Sequence, residues 1–207
     1  KLRILKDSEE KPAMLDLLDD FTLRLCRLGA LIIRYRAYYI RKLAGRAQTL
    51  HTEAAPHETL ECVYHTVSSV SDPYAPLAII EAQLQSHAMN HRAAEIAAKS
   101  CLSGPHKDDL ILNLGGVSAA SFASQGQART AALALKLAER ELFFDEDNVY
   151  PVLLLDDVLS ELDRSRQDFV LNHLGQGQVI ITCCEEETAA RFHAGTVFHV
   201  EKGTVRG

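Results

Sequence analysis

Apolar positions recur at three and four residues over 12–51. Leu17, Phe21, Leu25 and Leu28 share one stripe, a period that predicts helix with that stripe buried. Gly29 marks an expected break, after which a second helix, rich in Tyr and Arg, runs from Ala30 to about Leu50. Loose alternation over 60–67 predicts a strand, 68–76 reads as a turn-rich linker, and the Ala-rich 77–99 returns to helix. Past Gly104-Pro105 the pattern changes. Residues 109–114 form a short strand, Gly115-Gly116 signals a hairpin, and 127–144 is a helix with Leu133, Leu137 and Leu142 among its apolar positions. The nearly all-apolar run 151–156, closed by two Asp, reads as a central strand buried on both faces. A helix over 164–174, a strand over 178–182, a helix over 185–192 and a strand pair turning at Lys202-Gly203 complete an α/β pattern. The expected division is a mostly helical lobe over 1–102 and an α/β core over 103–207, with no internal repeat.

Composition bounds what such a chain can be. Its 207 residues, 47% of them hydrophobic, suffice for a sizeable core and argue against disorder. No apolar run approaches the roughly 20 residues of a membrane-spanning helix, and the charged N-terminus is no secretory signal, so a soluble chain is expected. The first residue is Lys and the first Met is Met14, which fits a piece of a longer protein. Five cysteines, with no C-x-x-C pair, fit reduced thiols and a cytoplasmic setting. Cys183 and Cys184, adjacent and poorly placed to bridge each other, are read either as redox-active thiols or as small apolar residues buried at a strand end. The net charge of −6 argues against coating by nucleic acid, but residues 1–60 hold 11 basic against 8 acidic side chains. A basic surface is therefore expected in the first third.

The chemistry is densest at Val152-Leu153-Leu154-Leu155-Asp156-Asp157. Four apolar residues deliver two carboxylates to the end of a strand, where open α/β sheets bind ligands. In a Walker B reading Asp156 holds Mg²⁺ through its water shell, and Asp157 orients or deprotonates the water that attacks a γ-phosphate. The alternative is a strand ending in a solvated acidic turn. Ser124-Gln125-Gly126-Gln127 stands upstream at a helix start, where a hydroxyl, a glycine and free N–H groups suit a phosphate, or where Ser124 simply caps the helix. Order favours the first reading. An S-x-G-x segment, a helix, a Walker B strand and then Ser160-Glu161-Leu162-Asp163 follow the signature, Walker B and D-loop order of ABC-type ATPases.

Gly104-Pro105-His106-Lys107-Asp108-Asp109, the run from Phe122 to Glu139 and the run from Pro151 to Asp163 together resemble the RecF family of bacterial DNA repair proteins. The likeness is specific over 104–182 and looser over the helical lobe, where Ile33-Arg34-Tyr35-Arg36 is similar to the family's arm. It implies the C-terminal half of an ABC/SMC-like ATPase head with an N-terminal helical arm, weak ATPase activity with ATP and Mg²⁺, and ATP-dependent homodimerisation. It further implies DNA binding, and RecA loading at gaps with RecR and RecO. It would place Ser124, Gln125, Gly126 and Gln127 on a partner's ATP, Asp157 in catalysis, Asp156 on the metal, and Ser160 and Asp163 in the D-loop. The family's P-loop is missing, since no Gly-Lys-Ser or Gly-Lys-Thr occurs, so this chain alone is expected to be inactive. Thr182-Cys183-Cys184 departs from the relatives' more Thr-rich segment. Two other readings are a non-catalytic module that docks a partner such as RecR, and the head of an SMC-type break-repair ATPase. The latter is disfavoured by the lack of a long heptad coiled coil.

Arg24, Arg27, Arg34 and Arg41 fall on one helical stripe, and no acid interrupts 21–52. That makes them either a DNA-backbone surface or a solvated helix face. His87 and His91 have the spacing of helix-borne metal ligands without a third ligand in view. His106 lies in a Gly-Pro-His turn as a hydrogen-bonding residue or a site residue.

Overall fold

The computed structural model describes residues 1–184 and 195–206. In chain order it holds α1 (Leu2–Asp7), a 3-10 turn (Pro12–Leu17), α2 (Leu18–Ala54), β1 (Leu60–His65), α3 (Leu77–Asn90) and α4 (Arg92–Ala98). A 3-10 turn (Pro105–Lys107) leads to β2 (Asp109–Leu114), β3 (Val117–Ser118), α5 (Ala119–Phe122) and α6 (Gln125–Asp147). Then come β4 (Leu153–Asp156), a 3-10 turn (Leu159–Glu161), α7 (Arg164–Asn172), β5 (Val179–Thr182), β6 (His199–Glu201) and β7 (Thr204–Arg206). The helix expected over 185–192 lies outside the described residues.

Two compact units emerge: residues 1–44 with 62–112, and residues 45–61 with 113–207. In the first unit the core gathers Cys26, Ala30 and Ile33 of α2 with Val67, Val70, Ile80, Leu84 and Ala88. A second cluster joins Ile4, Leu5, Leu18 and Cys101. In the second unit Ala131, Leu133, Ala134, Leu137 and Ala138 give α6 a buried face, and Leu155, Leu159, Leu162, Phe169 and Val170 are buried around β4 and α7.

α2 is continuous for 37 residues, about 55 Å at 1.5 Å per residue. It starts with Asp19 and Asp20, whose charges suit a helix N-terminus, and stops just before Pro56. The expected break at Gly29 does not occur. A Cβ at Gly29 would lie 3.2 Å from Pro105 Cδ, so the glycine serves close approach of the proline ring, not a turn. The expected buried stripe is also rotated. Leu17, Phe21 and Leu28 are exposed, and Cys26, Ala30, Ile33, Ala37 and Ala47 are buried instead. Small side chains face inward because neighbouring segments pack close to the helix axis, leaving the larger apolar ones outside. The helix expected over 77–99 is interrupted at His91, so α3 and α4 are separate.

The strands order β1-β2-β3, with a β2–β3 hairpin whose turn residues Gly115 and Gly116 both have positive φ, as a two-residue primed turn requires. β4 and β5 run parallel with Asp156 opposite Thr182. β6 and β7 pair antiparallel across the expected Lys202-Gly203 turn. The expectation that β4 is buried on both faces fails: Leu155 is buried, but Leu154 is 67% exposed and Val152 is exposed too. Among the described residues β4 pairs with β5 alone, and Leu154 on its outer face stays open.

Candidate functional site

The C-terminal end of β4 turns sharply. Asp156 Oδ1 accepts a hydrogen bond from the Thr182 hydroxyl at 2.5 Å, and that hydroxyl oxygen accepts the Asp157 N–H at 3.0 Å. Thr182 thus latches both acidic residues to the end of β5. Asp157 has φ +52°, left-handed backbone that Asp tolerates better than most residues, and both carboxyl groups are exposed. Ser160 Oγ donates to Asp157 O at 2.9 Å, so the residue after the turn secures it. Leu159 and Leu162 are buried beneath this loop, and Gln167 Nε2 donates to both their carbonyls. Asp163 N-caps α7, accepting from Arg166 N and Ser165 Oγ, and these bonds hold its carboxyl below the ordinary range.

At the start of α6, Ser124 and Gln127 form a capping box. Ser124 Oγ accepts from Gln127 N at 3.3 Å, while Gln127 Oε1 accepts from Ser124 N at 2.9 Å. The other end of the Gln127 amide donates to Glu58 Oε1 at 3.1 Å. A Cβ at Gly126 would lie 3.1 Å from Arg166 Nη1, so glycine here admits a guanidinium that also pairs with Asp163 at 3.1 Å. Behind Glu58 sits His51, fully buried in the last turn of α2, with Nε2 3.6 Å from Glu58 Oε2. Burial pushes the His51 pKa down, opposed by the Glu58 carboxylate. The capping role and the free N–H groups of the first turn of α6 coexist, so capping does not exclude an anion site. Among the described residues no hydrogen bond joins Asp156 or Asp157 to residues 124–127. The two acidic residues and the α6 terminus are separately built.

No family model matches the chain. The DNA replication and repair protein RecF of Clostridium tetani is 36% identical over 200 residues, 96% of this chain and 53% of that protein. Its counterpart in Agathobacter rectalis is 36% identical over 206 residues, 98% of this chain and 54% of that protein. A solved structure of the recombination mediator protein RecF-ATPrS in the RecFOR pathway superposes with a TM-score of 0.82 at 30% identity, covering 99% of this chain and 54% of that one. The chain matches the C-terminal half of RecF. A second structure, of RecF-ATP, gives a TM-score of 0.78 at 32% identity over 92% of this chain and 50% of that one. The chain thus spans about half the length of the RecF relatives it matches, and its mixed helix and sheet, with a long helix suited to an arm, follows theirs.

With the RecF likeness in place, the Gly-Pro-His segment acquires a structural explanation. Asp108, 2% exposed at its side chain, accepts from Tyr64 Oη at 2.5 Å, Thr66 Oγ1 and Val67 N at 3.2 Å each, and Arg36 Nη1 at 3.1 Å. Arg36 also donates to Pro105 O at 2.6 Å. His106 Nε2 lies 3.3 Å from Cys101 O, a hydrogen-bonding role. Sequence reading quoted Asp108 without assigning it a role, and missed Glu58 and Arg140. Arg140 is buried and donates to the carbonyls of His173 and Gln176 at the end of α7. Arg24 and Arg27 are exposed, whereas Arg34 stacks over Tyr38 and Arg41 lies 4.8 Å from the Tyr38 ring and 5.1 Å from that of Tyr74. The four arginines therefore differ in environment. His87 and His91 stack on each other at 4.0 Å, and no group of three metal-ligating side chains occurs among the described residues. Cys183 is half-buried and Cys184 exposed, so the expected burial of this pair fails; the loop past β5 carries them out of the core. Burial raises the Cys26, Cys62 and Cys101 thiols, Cys62 to about 11. No described helix is long and apolar enough to cross a membrane.

Proposed function

We propose that this chain is the C-terminal part of an ATP-dependent, DNA-binding recombination mediator that dimerises on ATP and helps to load RecA at gaps. The observation that carries this reading is the paired acidic turn at the end of β4, held by Thr182, in a chain that superposes on RecF-ATPrS with a TM-score of 0.82. In this reading Asp156 would hold Mg²⁺. A single exposed carboxylate fits that ion, which keeps several waters and takes its remaining ligands from phosphate oxygens. The ion would neutralise charge on the phosphates. Asp157, in left-handed backbone at the turn that ends β4, would orient the attacking water and take its proton.

Residues Ser124, Gln125, Gly126 and Gln127 would meet the nucleotide of a second copy through the first turn of α6. Ser160 and Asp163 would shape the loop beside it, Asp163 doing so as the α7 cap. Arg24 and Arg27, with Arg34 and Arg41 on the same helix, would contact DNA phosphates. RecR and RecO are the protein partners of this reading, and RecA an indirect one. In the full-length protein, Asp157→Asn should retain ATP binding while hydrolysis falls by about 10²–10⁴-fold, the usual share of a general base. Undiminished hydrolysis would remove Asp157 from the mechanism.

A further inference from the structure

The capping box at α6 does not stand alone. Its Gln127 amide is shared: Oε1 takes the Ser124 N–H, and Nε2 is left to donate to Glu58 Oε1 at 3.1 Å. Glu58 is itself fixed on both sides. Its N–H donates to Ala55 O at 3.0 Å in the turn that ends α2, and the next carbonyl, Thr59 O, accepts from Gly115 N at 2.9 Å. Behind it, His51 is fully buried with neither ring nitrogen hydrogen-bonded, and the second carboxylate oxygen of Glu58 is buried without a hydrogen bond, 3.6 Å from His51 Nε2. At the α6 terminus Arg166 lies against Gly126 and is tied to Asp163. The segment between α2 and β1 therefore reaches residues 124–127 through one side chain.

We infer that Glu58 is a positioning residue for the candidate signature segment: it fixes the orientation of the Gln127 amide, and through it the Ser124 backbone and hydroxyl that would face nucleotide. The inference rests on the reading of residues 124–127 as a nucleotide contact. The physical reason lies in donor and acceptor chemistry. A carboxylate only accepts, so Glu58 admits only the Nε2 end of Gln127, which leaves Oε1 for Ser124 N–H. Without it, the amide can flip and present NH₂ to a donor, breaking the reciprocal bond of the capping box. His51 Nε2 stands 3.6 Å from Glu58 Oε2, an oxygen that is buried without a hydrogen bond.

The test uses the full-length protein with three substitutions: Glu58→Ala, Glu58→Gln and Ser124→Arg. ATP-dependent dimerisation is read by light scattering, kcat and KM by steady-state hydrolysis, and folding by thermal melts. Glu58→Ala should weaken dimerisation and lower kcat by about ten- to a hundredfold, the worth of one hydrogen bond to a charged acceptor, with KM unchanged. KM stays because each protomer's own ATP is held elsewhere. Glu58→Gln, whose amide can accept from Gln127 Nε2 but can also donate to a flipped Oε1, should recover only part of both losses. Equal losses in Glu58→Ala and Glu58→Gln, or wild-type dimerisation and kcat in Glu58→Ala, would overturn the positioning role. Ser124→Arg separates the two levels. If it blocks dimerisation while Glu58→Ala does not, only the positioning role fails; if Ser124→Arg dimerises normally, the nucleotide reading of residues 124–127 fails with it.

Discussion

A single carboxylate, Asp108, gathers four donors from three segments of the first compact unit: Arg36 on α2, Tyr64 on β1, and Thr66 with Val67 just after it. Its removal leaves two partly buried hydroxyls, those of Tyr64 and Thr66, and the partly buried Val67 N–H without their acceptor, the costly half of hydrogen-bond energetics. Asp108→Ala should therefore lower stability by about 2–4 kcal/mol, and Asp108→Asn, which keeps one acceptor oxygen, by about half as much. Thermal or urea melts decide, and equal effects would place the value of Asp108 in its volume. The same site gives a pH dependence. Burial and the Asp108 carboxylate raise the Tyr64 pKa, so the folded protein holds that proton more tightly than the unfolded chain does. The stabilisation is complete below the ordinary phenol value of about 10 and is lost as pH rises above it. Tyr64→Phe should flatten that alkaline decline.

At the scale of elements, α2 shows where pattern reading succeeds and where physics hides from it. The helix itself, the Asp109–Leu114 strand, the Gly-Gly hairpin, the capping serine of α6 and the acidic end of β4 are all local signals, carried by neighbours in sequence. The buried face of α2 is not local. Cys26, Gly29 and Ala30 face inward because Pro105 and α3 approach closely, a fact written 50 or more residues away. Large apolar residues dominate any periodicity count, so the count selects the wrong face. The roles of Asp108, Glu58 and Arg140 stayed invisible for the same reason: their partners lie 72, 69 and 33 residues distant. The arginine stripe divides along these lines too. Arg41 stacks on Tyr38 and Tyr74, worth about 0.5–1 kcal/mol for an exposed cation over an aromatic ring, whereas Arg24 and Arg27 are simply exposed. Replacing Arg24 and Arg27 by Gln in the full-length protein should reduce the log–log salt slope of DNA binding by about one per phosphate contact, with the melting temperature unchanged. Arg41→Gln should lower the melting temperature as well. Affinities across a salt series, measured beside thermal melts, separate the two classes, and an unchanged slope in the double variant would leave α2 as a solvated face.

On the proposed reading, the chain as a whole holds parts that should grip nucleotide weakly. Asp156 offers one carboxylate for a metal, α6 offers N–H groups at one terminus, and the sequence has no Gly-Lys-Ser or Gly-Lys-Thr to wrap the β- and γ-phosphates. Among the described residues the sheet beneath the acidic turn is two strands wide, with Val152, Leu154 and Ile180 open, and two-stranded pairs draw little stability from themselves. The chain also spans about half the length of its RecF relatives. A ligand that binds only the folded state at a hundred times its Kd adds about 2.7 kcal/mol of stability, a shift that thermal melts resolve easily. This chain alone should show no such shift with millimolar Mg-ATP and no heat of binding in calorimetry. The full-length protein should show both, and there the Asp156→Ala variant should lose most of the Mg²⁺-dependent part while keeping the metal-independent remainder. Micromolar affinity in the chain alone would mean that the α6 terminus and the acidic turn together hold the triphosphate without a P-loop, and the division of labour drawn here would have to be redrawn around them.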